Sequence, residues 1–162
     1  MSKPEEKTNA IRILDLKKIS YSVHDYQNDA ALPGEEIAKA MGKEPEEVFK
    51  TLVTVGKSGG YYVFDIPVNR ELDLKKAASA VGEKSVEMVK HADLFRITGY
   101  IHGGCSPIGM KKTFPTVFDV SVRDRKSVCF SAGRIGKQIE MSPADIGRAI
   151  KVSYADLVRQ TQ

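Results

Sequence analysis

Lys50 is a candidate functional residue, because its side chain could take part in chemistry and it lies in an unusual position for a lysine. It lies in the run FKTLVTV, residues 49–55, whose β-branched and aromatic residues predict a strand, and it shares one strand face with Val48 and Leu52. A lysine among aliphatic neighbours can extend its amine to solvent from an edge strand, or can meet a phosphate or a developing oxyanion in a cleft. The strand pattern alone leaves both interpretations open.

A glycine-rich segment, His102–Gly109 (HGGCSPIG), is the second candidate for chemistry. Its three glycines and one proline predict a tight loop whose backbone N–H groups could point at an anion, because glycine lets a ligand approach the main chain closely. The segment lacks the GxxxxGK pattern of a phosphate-binding loop, so the sequence does not support nucleotide hydrolysis. An ordinary turn would have the same composition.

Cys105 lies within this loop, three residues after His102, which raises the question of a cysteine nucleophile. No carboxylate that would orient the histidine can be identified, and a lone cysteine is usually a buried thiol without reactivity. The sequence therefore favours an inert Cys105. The acidic pairs at residues 35–36 and 46–47 look like helix-surface charges, so no acid/base pair is predicted.

A third segment, residues 131–134 (SAGR), brings a hydroxyl and a guanidinium to a small-residue turn. Ser131 in such a turn commonly bonds its own backbone, which is the simpler interpretation. By itself this segment is a weak indication of a site.

The elements that must position these residues are predicted from hydrophobic periodicity and capping patterns. Helices are predicted over residues 8–18, 34–41, 73–81, 86–95 and 142–150, with a short helical turn at 45–47, and strands over 21–26, 49–55, 61–68, 116–120, 127–130 and 137–141. The runs FKTLVTV and YYVFDIPV, joined by a glycine-containing turn, predict a β-hairpin. Because strands and helices do not alternate strictly, the pattern predicts an α+β fold with a mixed, mostly antiparallel sheet and helices packed outside it.

Length and composition predict one globular domain over residues 8–162, preceded by a flexible tail at residues 1–7, since the chain has 162 residues, 41% of them hydrophobic and 28% charged. Two cysteines without a CxxC pair and three histidines without ligand spacing predict no metal and no cofactor, and favour a reducing, cytoplasmic location. No stretch approaches the ~18 apolar residues that a membrane span requires. Lysine and arginine outnumber aspartate and glutamate by 25 to 21, which permits a polyanionic partner without requiring one.

Five segments, taken in order along the chain, resemble the YbaK family of bacterial trans-editing deacylases, which is related to the editing domain inserted in many bacterial prolyl-tRNA synthetases. The segments are residues 24–26 (HDY), 48–53 (VFKTLV), 73–78 (DLKKAA), 103–112 (GGCSPIGMKK) and 131–134 (SAGR), and they span nearly the whole chain. FKTL followed by GGxSPxGxKK is far more specific than either motif alone. The resemblance implies a barrel-like, mixed sheet flanked by helices, and an enzyme that removes a wrongly attached amino acid from tRNA.

The resemblance also implies the residues of the site. Lys50, Gly103 and Gly104 would be catalytic, with the lysine meeting the acceptor end and loop amides stabilising an oxyanion. Substrate would be bound by residues at seven positions: Tyr26, Thr51, Cys105, Ser106, Ser131, Gly133 and Arg134. The sequence departs from the family at Arg134-Ile135, where many members have two basic residues, and at Gln138, where some have an acid.

The implied substrate is Cys-tRNA(Pro), whose own thiol would attack the ester carbonyl, so that no protein base is needed. The partner is then tRNA, and prolyl-tRNA synthetase is a further candidate partner. Two alternatives stay open. One is a deacylase that removes alanine or another small residue by activating water, and the other is a non-catalytic module that binds tRNA or a synthetase.

Overall fold

Eight strands and five α-helices position the candidate residues in the computed structural model, which describes residues 7–26 and 32–160. The strands are β1 (Tyr21–Asp25), β2 (Phe49–Gly56), β3 (Tyr61–Pro67), β4 (Val86–Met88), β5 (Thr116–Asp119), β6 (Val128–Arg134), β7 (Lys137–Met141) and β8 (Val152–Ala155). The helices are α1 (Asn9–Leu16), α2 (Gly34–Ala40), α3 (Leu74–Val81), α4 (His91–Thr98) and α5 (Ile146–Ala149). Short 3-10 turns lie at Pro45–Glu47, Val120–Asp124 and Pro143–Asp145. No helix in these ranges is long and apolar enough to cross a bilayer.

The strands of the described ranges form two sheets, one of five strands in the order β4-β2-β3-β5-β8 and one of three strands in the order β1-β7-β6. Four strand pairings are antiparallel, whereas β3 with β5 and β5 with β8 are parallel. The α+β class and the mixed, mostly antiparallel pairing are therefore confirmed. The barrel-like closure is not confirmed, because the two sheets remain separate in this part of the chain and meet at an isolated bridge between Val48 and Cys129.

The predicted hairpin of β2 and β3 is confirmed, and it sets the position of Lys50. In its register Lys50 lies opposite Ile66, one residue after Phe49. The Phe49 ring stacks on Phe118 of β5 at a centroid distance of 5.9 Å, and Phe118 meets Phe130 of β6 edge to face at 6.1 Å. These buried rings join the two sheets in one core and fix β2 relative to β6.

Polar side chains cap the starts of two helices. The Thr8 hydroxyl accepts a hydrogen bond from the Ile11 amide of α1 at 3.2 Å, and the Asp73 carboxylate accepts from the Lys75 and Lys76 amides of α3. The tail predicted at residues 1–7 lies mostly outside the described residues.

Two segments differ from the prediction. The helix predicted over residues 86–95 is wrong in its first half, because Val86–Met88 pair with β2 as β4 and α4 begins only at His91. Pairing with a neighbouring strand outweighs the local helical pattern there. The strand β8, whose four residues pair in parallel with β5 at the edge of the sheet, was not predicted. Such a non-local pairing leaves little signal in so short a run.

Candidate functional site

A cavity of about 330 Å³ opens where the two sheets meet. Its wall is formed by β2, the start of α2, the start of α4, the loop at residues 102–105, and one residue each of β6 and β7. Its polar side consists of Lys50, Thr51, His91, His102, Gly103, Cys105, Ser131 and Gln138. Within the described ranges the lining includes no carboxylate. The volume lies in the range of small-ligand sites.

Lys50 extends from β2 into this cavity and is partly buried. Its ammonium has no hydrogen bond or ion pair with any residue that the structure describes. Burial lowers the pKa of Lys50, while the more distant carboxylates of Glu71 and Glu35 partly restore it. The cleft interpretation of Lys50 therefore describes its position better than the edge-strand interpretation, since its partly buried ammonium lines a cavity and has no partner among the described residues.

The glycine loop forms another part of the wall of the cavity that Lys50 lines. Gly103 lines the cavity with φ +87°, a backbone conformation that favours glycine. Gly104 packs against the β6–β7 turn, where a Cβ atom would lie 3.1 Å from the Ile135 nitrogen. The Gly104 amide donates to the Ile101 carbonyl at 3.0 Å, whereas the amides of Gly103 and Cys105 have no partner in the described part of the chain. The two amides that flank Gly104 are thus not engaged within the described residues.

Cys105 lies in the cavity wall as a buried thiol. Burial, followed by the negative charge of Asp65, raises the pKa of this thiol to about 12. A cysteine nucleophile reacts as the thiolate, so this environment opposes nucleophilic catalysis at neutral pH.

Thr51 is backed by a buried carboxyl group that the sequence analysis did not single out. The Thr51 hydroxyl donates to Oδ1 of Asp65 at 2.5 Å, since the two residues are opposite each other in β2 and β3. Asp65 is completely buried, and its Oδ2 has no partner within the described residues. Burial raises the pKa of Asp65 well above its ordinary value, and the hydrogen bond from Thr51 opposes this shift. A carboxyl in the apolar run YYVFDIPV is the signal that could have found it.

The serine and glycine of the third segment lie at a bulge between β6 and β7. Ser131 lines the cavity, and its hydroxyl accepts a hydrogen bond from the Gly133 amide at 3.0 Å, which is the simpler role that the sequence suggested. Gly133 has φ +101°, and a Cβ atom there would lie 2.8 Å from the Tyr100 ring. Arg134 is exposed at the end of β6.

Two further predicted residues, Ser106 and Tyr26, do not line the cavity. Ser106 is completely buried, and its hydroxyl accepts from the Ile108 amide at 3.2 Å. The Tyr26 hydroxyl accepts from the Gly136 amide at 3.3 Å, and burial raises the pKa of Tyr26. The structure thus brings five predicted residues to the cavity lining: Lys50, Thr51, Gly103, Cys105 and Ser131. It does not place the other five there, namely Tyr26, Gly104, Ser106, Gly133 and Arg134. The roles of all ten stay predictions.

Two histidines were not predicted as site residues but line the cavity together. The rings of His91 and His102 are stacked, with centroids 3.8 Å apart and planes inclined by 20°. Burial, followed by the charge of His91, lowers the pKa of His102. No sequence spacing indicates this pair, because His91 lies on α4 and His102 in the following loop.

A second polar cluster lies between β1, β6 and β7. His24 Nε2 is 2.6 Å from one oxygen of Glu140, and the Lys43 ammonium donates to the other at 2.7 Å. Burial would raise the pKa of Glu140, but hydrogen bonds from Lys43, Ser127 and His24 lower it to about 2. Ligand atoms of His24, Glu140 and the buried Cys129 lie within 4.8 Å of one another. Because the Lys43 ammonium already pairs with the Glu140 carboxylate, this cluster suits an ion pair better than a cation site.

Comparison with known proteins relates this chain to proteins that act on tRNA. A family model, the aminoacyl-tRNA editing domain, matches residues 29–149. A candidate Cys-tRNA(Pro)/Cys-tRNA(Cys) deacylase of Enterococcus faecalis, EbsC, is 46% identical over 142 residues, which are 87% of this chain and 87% of that protein. A proline–tRNA ligase of Thermosipho melanesiensis is 30% identical over 76 residues, which are 47% of this chain and 13% of the ligase. The crystal structure of a candidate trans-editing enzyme for prolyl-tRNA synthetase shares the fold, with a TM-score of 0.81 at 23% identity, covering 96% of this chain and 100% of that one.

Proposed function

This chain belongs to the aminoacyl-tRNA editing domain family, and we propose that it deacylates Cys-tRNA(Pro) in trans. The observation that carries the proposal is the cavity that Lys50 and Gly103 both line, where neither the Lys50 ammonium nor the Gly103 amide has a partner among the described residues. Such an arrangement suits an ester at the end of a phosphodiester chain, because the cation attracts phosphate and the amides stabilise the oxyanion that forms at the carbonyl.

The proposed reaction uses the thiol of the substrate's own cysteine. The sulfur attacks the ester carbonyl, so that a C–S bond forms while the C–O bond to the ribose breaks and the thiol proton passes to the ribose oxygen. The products are a cyclic thioester, which water then opens to cysteine, and free tRNA. Holding the thiol beside the carbonyl contributes on the order of several kcal/mol toward lowering the barrier. This route needs no protein base, and the cavity lining contains no carboxylate among the described residues.

Lys50 and the loop amides have separate roles in this reaction. The Lys50 ammonium contacts the phosphate or backbone of the acceptor end. The amides of Gly103 and Cys105 then face the carbonyl oxygen, because the amide of Gly104 is already bonded to Ile101. An enzyme of this kind acts in the cytoplasm, where tRNA is aminoacylated. Similarity to part of a proline–tRNA ligase supports prolyl-tRNA synthetase as a partner.

A second candidate function is favoured by the two imidazoles in the cavity. His91 or His102 could activate water, and the enzyme would then release alanine or another small amino acid that has no thiol. The purified full-length protein should be assayed with tRNA(Pro) carrying cysteine, alanine, serine or proline. We expect release of cysteine alone, because only that substrate carries its own nucleophile. Release of alanine at a similar rate would favour water activation, and binding without any release would leave a non-catalytic module.

A further inference from the structure

Three aromatic rings lead from the cavity onto the outer face of α4. The imidazoles of His91 and His102 line the cavity and stack on each other with centroids 3.8 Å apart. Phe95 follows His91 by four residues on α4, so the two side chains lie on the same side of the helix, about 6 Å apart along its axis. The rings thus extend from the site of ester cleavage toward solvent.

Packing does not explain the position of Phe95. Its side chain is 58% exposed, whereas Leu94 and Ile97 on the same helix are buried in the core. Ile101, which precedes His102, is also exposed, at 53%. Large apolar side chains that remain exposed on the helix and loop that line a cavity are candidates for contact with a partner.

The charges around these rings favour an anionic partner. The Lys111 ammonium lies over the Phe95 ring, 5.6 Å from its centroid, and Lys90 and Lys112 are exposed nearby in the sequence. Asp93 in the first turn of α4 is paired with Arg96 at 3.6 Å, which neutralises its charge. Exposed rings with lysines among them bind unpaired nucleotides, since bases stack on the rings and ammonium groups meet the phosphates.

We propose that His102, His91 and Phe95 form a stacking surface for the unpaired nucleotides at the 3′ end of the substrate RNA, with Lys111 contacting its backbone. The inference rests on the proposed function, because an ester held in the cavity places the terminal base beside His102 and His91. The chain of the RNA then leaves along α4, and the preceding base reaches Phe95.

The test is the affinity of the full-length protein for a labelled RNA duplex with four unpaired 3′ nucleotides, measured by fluorescence anisotropy. We expect Phe95→Ala, His91→Ala and His102→Ala each to weaken binding by about five- to a hundredfold, since one base stacked on one ring contributes an affinity of this order. His91→Phe and His102→Phe, which keep a ring, should bind within about threefold of the wild type.

The matched control is Leu16→Ala, which removes an apolar side chain that is 82% exposed on α1, and which should leave the affinity unchanged. A wild-type affinity that Phe95→Ala and His91→Ala leave unaltered would overturn the inference, while continued cleavage of Cys-tRNA(Pro) would keep the proposed function. RNA binding that depends on the rings, without ester cleavage, would support the stacking surface and contradict the proposed function. If the ring variants lost affinity for prolyl-tRNA synthetase and kept it for RNA, the surface would belong to a protein partner and the inference would be wrong.

Discussion

Asp65 carries its carboxyl group in the interior of the five-stranded sheet, behind the cavity residue Thr51. Burial raises the pKa of Asp65 well above its ordinary value of 3.8, so the folded protein holds this proton more tightly than the unfolded chain does. The stability that the protonated group contributes is therefore complete below the unfolded pKa. It is lost as the pH rises toward the folded pKa.

We expect Asp65→Asn, which places an uncharged group of similar shape in the sheet, to gain stability relative to the wild type as the pH rises. The difference in unfolding free energy between the variant and the wild type, measured by urea denaturation, should increase from pH 5 to pH 8. Thr51→Val removes the hydrogen bond that lowers the pKa of Asp65, so it should extend the loss of stability to higher pH. If the wild type instead became more stable relative to Asp65→Asn as the pH rises, the Asp65 carboxylate would be ionised in the folded protein and would stabilise it.

Cys105 has a thiol that stays protonated at neutral pH, because burial and Asp65 raise its pKa to about 12. We expect Cys105→Ala to deacylate Cys-tRNA(Pro) within about tenfold of the wild type, whereas loss of a covalent nucleophile costs on the order of 10⁴-fold or more. Cys129→Ala, which alters the other buried cysteine outside the cavity, is the control. Complete loss of turnover in a folded Cys105→Ala protein would assign the cysteine a covalent role.

Single residues differ in how far the sequence reveals them. Lys50 and Gly103 could be singled out because each stands in a recognisable local motif, and the structure brings both to one cavity. Asp65 could have been found as a carboxyl within an apolar run, although its partner Thr51 lies across the hairpin. His91 could not, because its stacking partner His102 lies in a later loop and such a contact has no local pattern.

The glycine loop is the element that shapes the wall opposite β2. It packs on the β6–β7 turn at Gly104, where a Cβ atom would lie 3.1 Å from the nitrogen of Ile135 and 3.2 Å from the Arg134 backbone. Backbone atoms can yield only by moving the whole turn, so a methyl group at Gly104 separates the loop from β6 and β7. The amides of Gly103 and Cys105 move with it.

We expect Gly104→Ala to lower kcat/KM for Cys-tRNA(Pro) by up to about tenfold, because the added methyl group shifts the loop by a few tenths of an ångström, less than the ~1 Å misplacement that costs about a hundredfold. The free energy of unfolding should fall by about 1–3 kcal/mol. Gly147→Ala in α5 is the matched control, since the nearest atom to its added Cβ is 4.0 Å away. If Gly104→Ala and Gly147→Ala both kept full activity, the position of the loop would not matter for catalysis.

Elements with a strong local pattern were predictable, and elements that depend on distant pairing were not. The β2–β3 hairpin and the cap of α3 have both a periodic pattern and a turn or capping residue. β4 and β8 have three and four residues, and each exists because a neighbouring strand offers an edge. The difference matters for the site, because β4 leads directly into α4 and its rings.

The whole molecule forms its cavity from two sheets, and neither sheet contains the site alone. β2 of the five-stranded sheet contributes Lys50, whereas the three-stranded sheet contributes Ser131 and Gln138. The ring contacts of Phe49, Phe118 and Phe130 hold these sheets together. The site therefore depends on the core between the sheets, and its central feature is a cation from one sheet that shares a cavity with the loop packed on the other.

The single-turnover rate of Cys-tRNA(Pro) deacylation by Lys50→Ala, compared with that of the wild type, tests this feature most directly. The control is Lys57→Ala, which removes an exposed lysine from the turn that follows the same strand. We expect Lys50→Ala to lower the rate by about 10²- to 10³-fold at an unchanged melting temperature, the cost of losing one preorganised electrostatic contact, and Lys57→Ala to keep the wild-type rate. A Lys50→Ala protein that releases cysteine as fast as the wild type would contradict the account.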